Sequence, residues 1–242
     1  AGTGLVYVTN FGDNSVSVID PIDHDVSHTV SGVGTNPIGI AVGPQGMVYV
    51  TNFGDSTVTV IDPATGYSTR TIALGAQQPD GIAVLSDGTI YVTHPFNDLV
   101  TALTPTVQGT YTAVDIAVAG GPSAIAVDTD GLVYVTNSGS DTITAIDPDT
   151  FATTTISVGA HPSSVAVAPS GTLYIANAAD DTVSVIDPGN LTTTVNVAVA
   201  TTQAAIDQDG NLVLTNTYDG YTTTLTAEQA AAADPFSITF FY

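Results

Sequence analysis

The sequence predicts an all-β fold assembled from six copies of one four-stranded antiparallel module, and three observations predict it. First, a tetrapeptide returns six times: Tyr7-Val8-Thr9-Asn10, Tyr49 to Asn52, Tyr91 to His94, Tyr134 to Asn137, Tyr174 to Asn177 and Val213 to Asn216. Its first residues stand 42, 42, 43, 40 and 39 positions apart. A period near forty residues is the length of four short strands with their turns, a unit that must stack on copies of itself to bury both faces. Second, Thr and Ser are abundant beside Val and Ile, which suits strands whose surfaces stay wet without charge. Third, Asp recurs between the apolar runs, where its carboxylate caps backbone N–H groups in turns. The architecture that satisfies all three is a six-bladed β-propeller of four-stranded antiparallel blades, one domain over residues 1–242.

Residues 37–74 spell out one blade. Pro37-Ile38-Gly39-Ile40-Ala41-Val42 reads as a short buried strand, followed by the turn Gly43-Pro44-Gln45-Gly46. Val48 to Thr51 is the second strand, Asn52-Phe53-Gly54-Asp55 a loop, and Thr57 to Ile61 the third strand with alternating Val58 and Val60. Asp62-Pro63-Ala64-Thr65-Gly66 turns the chain into a fourth strand, Tyr67 to Leu74. The first strand carries Ala at its centre in each copy, namely Ala41, Ala83, Ala126, Ala166 and Ala205. A small residue suits the crowded innermost strand of a wedge. The second-strand tyrosines have more room and are placed to fill the space between neighbouring blades. Six second, third and fourth strands but only five first strands are found, because Gly4-Leu5-Val6-Tyr7 already belongs to a second strand. Pro235-Phe236-Ser237-Ile238-Thr239-Phe240 is a candidate either to return as the missing strand or to form the last blade's outer strand. The alternative source is upstream sequence of a larger protein.

Charge narrows the partners. Twenty-three acidic residues, all Asp except Glu228, face Arg70 alone and no Lys, and the net charge is −22. Such a surface repels nucleic acid and anionic lipid. No Cys is present, which removes disulfides and thiolate chemistry. No apolar run reaches the roughly 18 residues needed to span a bilayer, so no membrane insertion by this chain is expected. An Asp-rich, Lys-free surface points to an extracellular or cell-surface location.

The repeated Tyr-Val-Thr-Asn resembles the YVTN β-propeller repeat family, related to NHL-type propellers. The Ser17-Val18-Ile19-Asp20-Pro21 and Thr59-Val60-Ile61-Asp62-Pro63 strands and the Pro79-Asp80-Gly81-Ile82-Ala83-Val84 segment match it too. The resemblance implies an extracytoplasmic binding or structural domain with few assigned catalytic residues. Some similar propellers are lyases that use a His, a Glu and a divalent metal in the channel; this chain brings His94 and His161 there without a Glu.

In this topology the loop between second and third strands and the loop leading into each first strand share one face, bordering the central channel. That face gathers Asn10, Asn52, His94, Asn137, Asn177 and Asn216 with Asn36, Gln78, Gly121, His161 and Thr202, and propellers commonly bind ligands there. The repeated Asn reads first as architecture, an amide bonded at a strand end. Departures from the repeat point more directly to a ligand. His94-Pro95-Phe96 replaces Asn-Phe-Gly, and His161 stands where other copies have small or amide residues. The candidate ligand-binding residues are therefore His94, Phe96, His161, Asn36 and Gln78 with the Asn set, and no catalytic residue is assigned. Loop exposure without a shared role is the alternative for the His pair.

The aspartates form three recurring sets. Asp13, Asp55, Asp98, Asp141, Asp181 and Asp219 follow the second strand; Asp20, Asp62, Asp147 and Asp187 precede Pro; Asp87, Asp130 and Asp209 precede Gly. Turn chemistry explains each set, and no cofactor is implied. The candidates for calcium or another divalent cation are Asp128, Asp130, Asp180 and Asp181, none of them in an Asp-x-Asp-x-Asp-Gly loop. Asp20, Asp23, His24, Asp25 and His28 read as a solvated loop on the opposite face. Glu228 lies in an Ala-rich helical turn or rim loop, and Asn190-Leu191-Thr192 fits a glycosylation sequon. The leading expectation is a non-enzymatic domain binding a protein or glycan at the channel mouth. The rivals are a metal-dependent lyase or hydrolase centred on the channel, and a structural surface-layer module.

Overall fold

The computed structural model describes residues 4–75, 77–187, 193–195, 201–207, 209–215 and 222–226. Their strands lie in six antiparallel sheets, each a run of sequence neighbours. The first holds β1 (Val6–Asn10), β2 (Ser15–Ile19) and β3 (Val26–Ser31). The second holds β4 (Pro37–Val42), β5 (Val48–Asn52), β6 (Thr57–Asp62) and β7 (Ser68–Ala73). The third holds β8 (Ile82–Val84), β9 (Ile90–His94), β10 (Leu99–Pro105) and β11 (Tyr111–Ala117). The fourth holds β12 (Pro122–Val127), β13 (Val133–Asn137), β14 (Thr142–Ile146) and β15 (Thr153–Ser157). The fifth holds β16 (Pro162–Val167), β17 (Leu173–Asn177), β18 (Thr182–Ile186) and β19 (Thr193–Val195). The sixth holds β20 (Gln203–Ile206), β21 (Leu212–Thr215) and β22 (Thr222–Leu225). Residues 235–240, Glu228 and the 190–192 sequon fall outside the described residues. No helix among the described residues is long and apolar enough to cross a membrane.

The sheets divide into two compact units, Ala1–Ala117 with the first three and Val118–Tyr242 with the last three. Within each unit the tetrapeptide does the stacking. Ala41 pairs with Tyr49, Ala83 with Tyr91, Ala126 with Tyr134 and Ala166 with Tyr174. Directly opposed residues share a sheet face, so each methyl leaves room for the ring across from it. Crowding by the partner Tyr is thus a local reason for the constant Ala. Tyr49 clusters with Ile82, Ile90, Val92 and Leu103 of the third sheet. Tyr134 packs against Val165, Leu173 and Ile175 of the fifth, and Tyr174 against Ala204, Leu212 and Leu214 of the sixth. Burying such a ring contributes roughly 2 kcal/mol. The alternate residues face the other way: Val48 and Val50 meet Val16 and Val18 of the first sheet.

The Thr of the tetrapeptide ties neighbouring sheets together. The register of β4 on β5 slips between Pro37 and Ile40, and the freed Gly39 N–H donates to the Thr51 hydroxyl at 2.8 Å. That hydroxyl donates in turn to the Asp80 carbonyl of the next sheet's lead-in at 2.6 Å. Thr9 bonds the Ile38 carbonyl in the same way at 2.9 Å. The fifth sheet has Ala176 instead, and there Ser163 donates to the Thr202 carbonyl at 2.8 Å. A hydroxyl from the opposing strand replaces the missing one.

Candidate functional site

Four-residue loops join the second and third strands at residues 11–14, 53–56, 95–98, 138–141 and 178–181. Their backbones bond the loop that leads into the same sheet. Phe53 N–H donates to Asn36 O and Gly54 N–H to Thr35 O, both at 3.0 Å. Ser138 and Gly139 bond Gly121 and Gly120 in the fourth sheet, and Ala178 and Ala179 bond His161 and Ala160 in the fifth. The two kinds of loop therefore do share a face within these sheets. In the third sheet Pro95 has no N–H to donate, and the loop leading into that sheet is one residue longer, with Gln77 and Gln78 before Pro79.

Asn36 and His161 hold the same place, each at the last residue before the first strand with φ of 52° and 55°. Gly121 there has φ of 68°. The left-handed backbone favours Gly and Asn and tolerates His, so this position, rather than chance, limits what can stand at 161. Its N–H accepts no freedom either: Asn36 N–H donates to Asn14 Oδ1 of the preceding sheet at 2.8 Å, and His161 N–H to Asp141 Oδ1 at 2.9 Å. The His161 ring is exposed, as is Gln78, and Asn36 is half-buried.

The repeated Asn is turned inward. Asn52, Asn137 and Asn177 have no exposed surface. Asn52 Nδ2 donates to the Thr57 and Thr59 hydroxyls, both at 2.9 Å. Asn137 bonds Thr142 and Thr144, and Asn177 bonds Thr182 and Ser184. The half-buried Asn10 reaches Ser15 and Ser17. A lead-in glycine closes the slot: a Cβ would stand 2.6 Å from Asn52 Cγ at Gly34, and 2.5 Å from Asn177 Nδ2 at Gly159. Each amide thus locks a β-hairpin, the architectural reading, and is withdrawn from a ligand on the loop face. Asn216 falls outside the described residues.

His94 fills the same slot in the third sheet and is likewise without exposed surface. It is not an exposed loop residue; burial at the strand end corrects that expectation. The Thr101 hydroxyl donates to Asp115 Oδ1 at 2.7 Å, so it accepts the His94 Nε2 proton across 2.9 Å. Nδ1 is left buried without a hydrogen-bond partner. Gln77 completes the group, its Nε2 donating to Asp115 Oδ2 at 3.2 Å. Loss of hydration pushes the imidazole down to about 4, against the pull of the Asp115 carboxylate and the Gln78 and Gln77 backbone. On β8's lead-in, burial also raises the Asp80 carboxyl above its ordinary range.

The described members of the first aspartate set follow the second strand as expected but occupy two loop positions. Asp98, Asp141 and Asp181 hold the left-handed fourth loop position together with Asn14 and Ser56. Asp13 and Asp55 stand one residue earlier, in line with Asp180. Asp55 and Asp180 do the same work: each accepts a Thr hydroxyl two residues on and the lead-in N–H of Thr35 or Ala160. Asp128 Oδ1 accepts the Asp130 and Leu132 N–H groups and Oδ2 the Tyr134 hydroxyl, in the turn between β12 and β13. Asp130 and Asp181 are exposed. Among the described residues no three His, Asp or Glu side chains come together as a metal group. In the Asp20 to His28 segment, Asp20 accepts the Ile22 N–H and His28 stacks on Tyr67 with ring centroids 4.4 Å apart.

What remains on the loop face of the first unit is aromatic. Phe11 is 53% exposed and Phe96 72% exposed, and Phe53, half-buried, meets Phe96 edge-on at 6.1 Å. Only Phe96 stood out in the sequence as a departure; Phe11 and Phe53 were hidden inside the repeat. In the second unit the corresponding residues are Ser138 and Ala178, a contrast readable once the loops are aligned.

Neither a protein-family model nor a curated relative matches the chain. Solved structures do. A streptogramin B lyase superposes with a TM-score of 0.80 at 16% identity, over 93% of this chain and 80% of that one. A catalytically inactive His-to-Ala variant of virginiamycin B lyase from Staphylococcus aureus, solved with quinupristin, gives 0.82 at 16% identity over 95% and 80%. A functionally unknown protein from Desulfotomaculum acetoxidans gives 0.72 at 14% identity over 92% and 78%. At these identities the likeness shows the fold alone, a β-propeller.

Proposed function

We propose that this chain is a six-bladed YVTN-type propeller serving as a non-enzymatic, extracytoplasmic binding domain of a secreted or cell-surface protein. Its ligand is a protein or glycan held on the face of the loops between second and third strands. The row Phe11, Phe53 and Phe96 carries this reading. Large apolar side chains grouped on loops that backbone bonds already hold in place are a surface suited to a partner. The net charge of −22 keeps such a surface from self-association and turns away nucleic acid. The test replaces Phe11 and Phe96 by Ser and screens both proteins against immobilised glycans and extracellular protein extracts. Loss of the captured ligands supports the reading; an unchanged profile overturns it.

A second reading, a metal-dependent lyase or hydrolase centred on the propeller channel, is supported by the likeness to the two lyases. His161 is the exposed imidazole available to it, since His94 is shut behind the strand end. Metal content and turnover of quinupristin, measured before and after His161→Ala, decide it. No change in either removes its anchor.

A further inference from the structure

We propose that folding of this chain is gated by salt: the aspartates that build its turns also repel one another, so dissolved cations are needed to hold the folded state. The inference stands apart from the binding reading above. Twenty-two Asp and Glu228 face Arg70 and no Lys in the whole sequence. Each compact unit shares the imbalance. Residues 1–117 carry ten Asp and Arg70, and residues 118–242 carry twelve Asp and Glu228 without a Lys or Arg. Arg70 itself reaches neutral groups. From β7 it donates to the Gly109 carbonyl and to Tyr111 Oη, and its guanidinium lies 5.3 Å from the Tyr111 ring centroid.

The fold keeps these carboxylates ionised because its turns use them. Asp20 Oδ1 accepts the Ile22 N–H and Asp62 Oδ1 the Ala64 N–H, both at 2.9 Å. Asp147 Oδ1 accepts the Asp149 and Thr150 N–H groups at 3.0 and 2.9 Å. Asp128 and Asp207 each accept two N–H groups in their own turns. Between loops, Asp55, Asp141 and Asp180 accept the N–H groups of Thr35, His161 and Ala160. Hydrogen bonds to the charged form favour it over the protonated one. The Thr150 backbone and hydroxyl hold the Asp147 carboxyl below the ordinary carboxylate range, and the Asn211 side chain and backbone do the same for Asp207.

Two demands on the same side chains therefore conflict. The turns need the carboxylate oxygens as acceptors, and the compact state suffers from their charge, because like charges held together repel more than they do along an expanded chain. A sequence with one Arg cannot relieve this from within, and imidazoles add little positive charge above about pH 7.5. Mobile cations can. The Debye length falls from about 30 Å at 0.01 M to 3 Å at 1 M, which removes most repulsion between exposed charges while leaving each short N–H to carboxylate bond in place. Salt thus separates the two roles of the aspartates.

The experiment follows thermal unfolding of the whole chain by circular dichroism at about pH 8 across a sodium chloride series. Tm is expected to rise by roughly 10 °C between about 0.01 M and 0.5 M and then to level off, as screening does. Two variants divide the roles. In the first, Asp20, Asp23, Asp25, Asp62, Asp130 and Asp147 are replaced together by Asn, which removes six of the 22 net negative charges and keeps an acceptor oxygen at each turn. It is expected to melt higher than wild type at low salt and to show a flatter salt response. In the second, Asp20, Asp62 and Asp147 are replaced by Ala, which removes charge and acceptor together. It is expected to melt below wild type by roughly 5 °C at high salt, where only the lost turn bonds count. A wild-type Tm that ignores sodium chloride overturns the proposal, as does an Asn variant with the wild-type salt response. If the Ala variant matches wild type at high salt, the turns do not need these carboxylates and the conflict is absent. Calcium chloride at matched ionic strength is the last control: stabilisation by calcium but not by sodium would mean a specific cation site, and the screening account falls.

Discussion

The fifth sheet and the third use the same slot in opposite ways. In the fifth, Asn177 bonds two hydroxyls, Thr182 and Ser184, and Gly159 packs directly over the amide. In the third, His94 bonds one hydroxyl, Thr101, and the residue that would supply the second is Leu99. Across the sheet Thr101 faces Asp115, whereas Thr144 faces Thr155 and Thr59 faces Thr71. A larger ring at 94 thus comes with a longer lead-in loop, a lost hydroxyl, a new carboxylate, and Pro95, which frees Phe96 to point outward. A departure from a repeat is a set of linked changes, and the set ends at the proposed binding surface.

The largest effect should fall on the sheet that keeps the rule. Asn177→Leu removes two buried hydrogen bonds together with one unpaired amide oxygen and crowds Gly159, while Thr182 keeps Asp180 and Ser184 keeps the Gly159 N–H; it should cost about 3 to 4 kcal/mol in urea unfolding. His94→Leu removes one bond and one unpaired nitrogen, and should cost about 1 to 2 kcal/mol. Equal losses at the two positions would break the comparison.

Acid should separate the two sheets next. The unfolded His94 takes up a proton near the ordinary imidazole value of 6.5, while burial holds the folded ring neutral down to about 4. Between those values the unfolded state binds more protons, so stability declines as pH falls through the window and levels off below it. The loss attributable to His94 should approach about 3 kcal/mol, since each pH unit of displacement is worth about 1.4 kcal/mol. The difference between wild type and His94→Asn measures this share. Parallel pH curves for the pair would show that the ring is not buried in solution.

Much of this contrast was legible before the fold was known, and the part that was not has a common cause. The period, the strand limits in residues 37–74 and the recurrence of Ala on the first strand and Tyr on the second follow from patterns along the chain. The partners of Asn52 do not, because Thr57 and Thr59 come opposite only when a hairpin register is fixed. Asp13 and Asp98 were grouped although the chain itself separates them, the aspartate coming three residues after Asn10 and Asn52 but four after His94, Asn137 and Asn177, and His94 was left beside His161 as though both were loop residues. Phe11 and Phe53 were passed over because repetition was taken as scaffold. A signal was available for 161: Asn36, Gly121 and His161 share a position, and the first two are residues suited to left-handed backbone.

A smaller effect probes how the fifth sheet itself bends the rule at Ala176. Ser163→Ala removes the hydroxyl that bonds the Thr202 carbonyl, and should cost about 1 kcal/mol. Adding Ala176→Thr restores the arrangement seen at Thr51 and should recover most of that loss. A double-mutant cycle by urea unfolding should show coupling of about 0.5 to 1 kcal/mol; strict additivity would mean that the two hydroxyls do not substitute for one another.

The smallest effect is the sharpest test of linkage in the third sheet. Leu99→Thr alone returns the missing hydroxyl beside an imidazole whose Nε2 already donates to Thr101. It should therefore change stability by less than about 0.5 kcal/mol, the small gain in polarity matched by lost apolar burial. In the His94→Asn background the same change offers the amide a second acceptor, as Thr57 does for Asn52, and should stabilise by about 1 kcal/mol. If Leu99→Thr behaves the same in both backgrounds, residues 94 and 99 are independent and the third sheet's departures are a coincidence of neighbours.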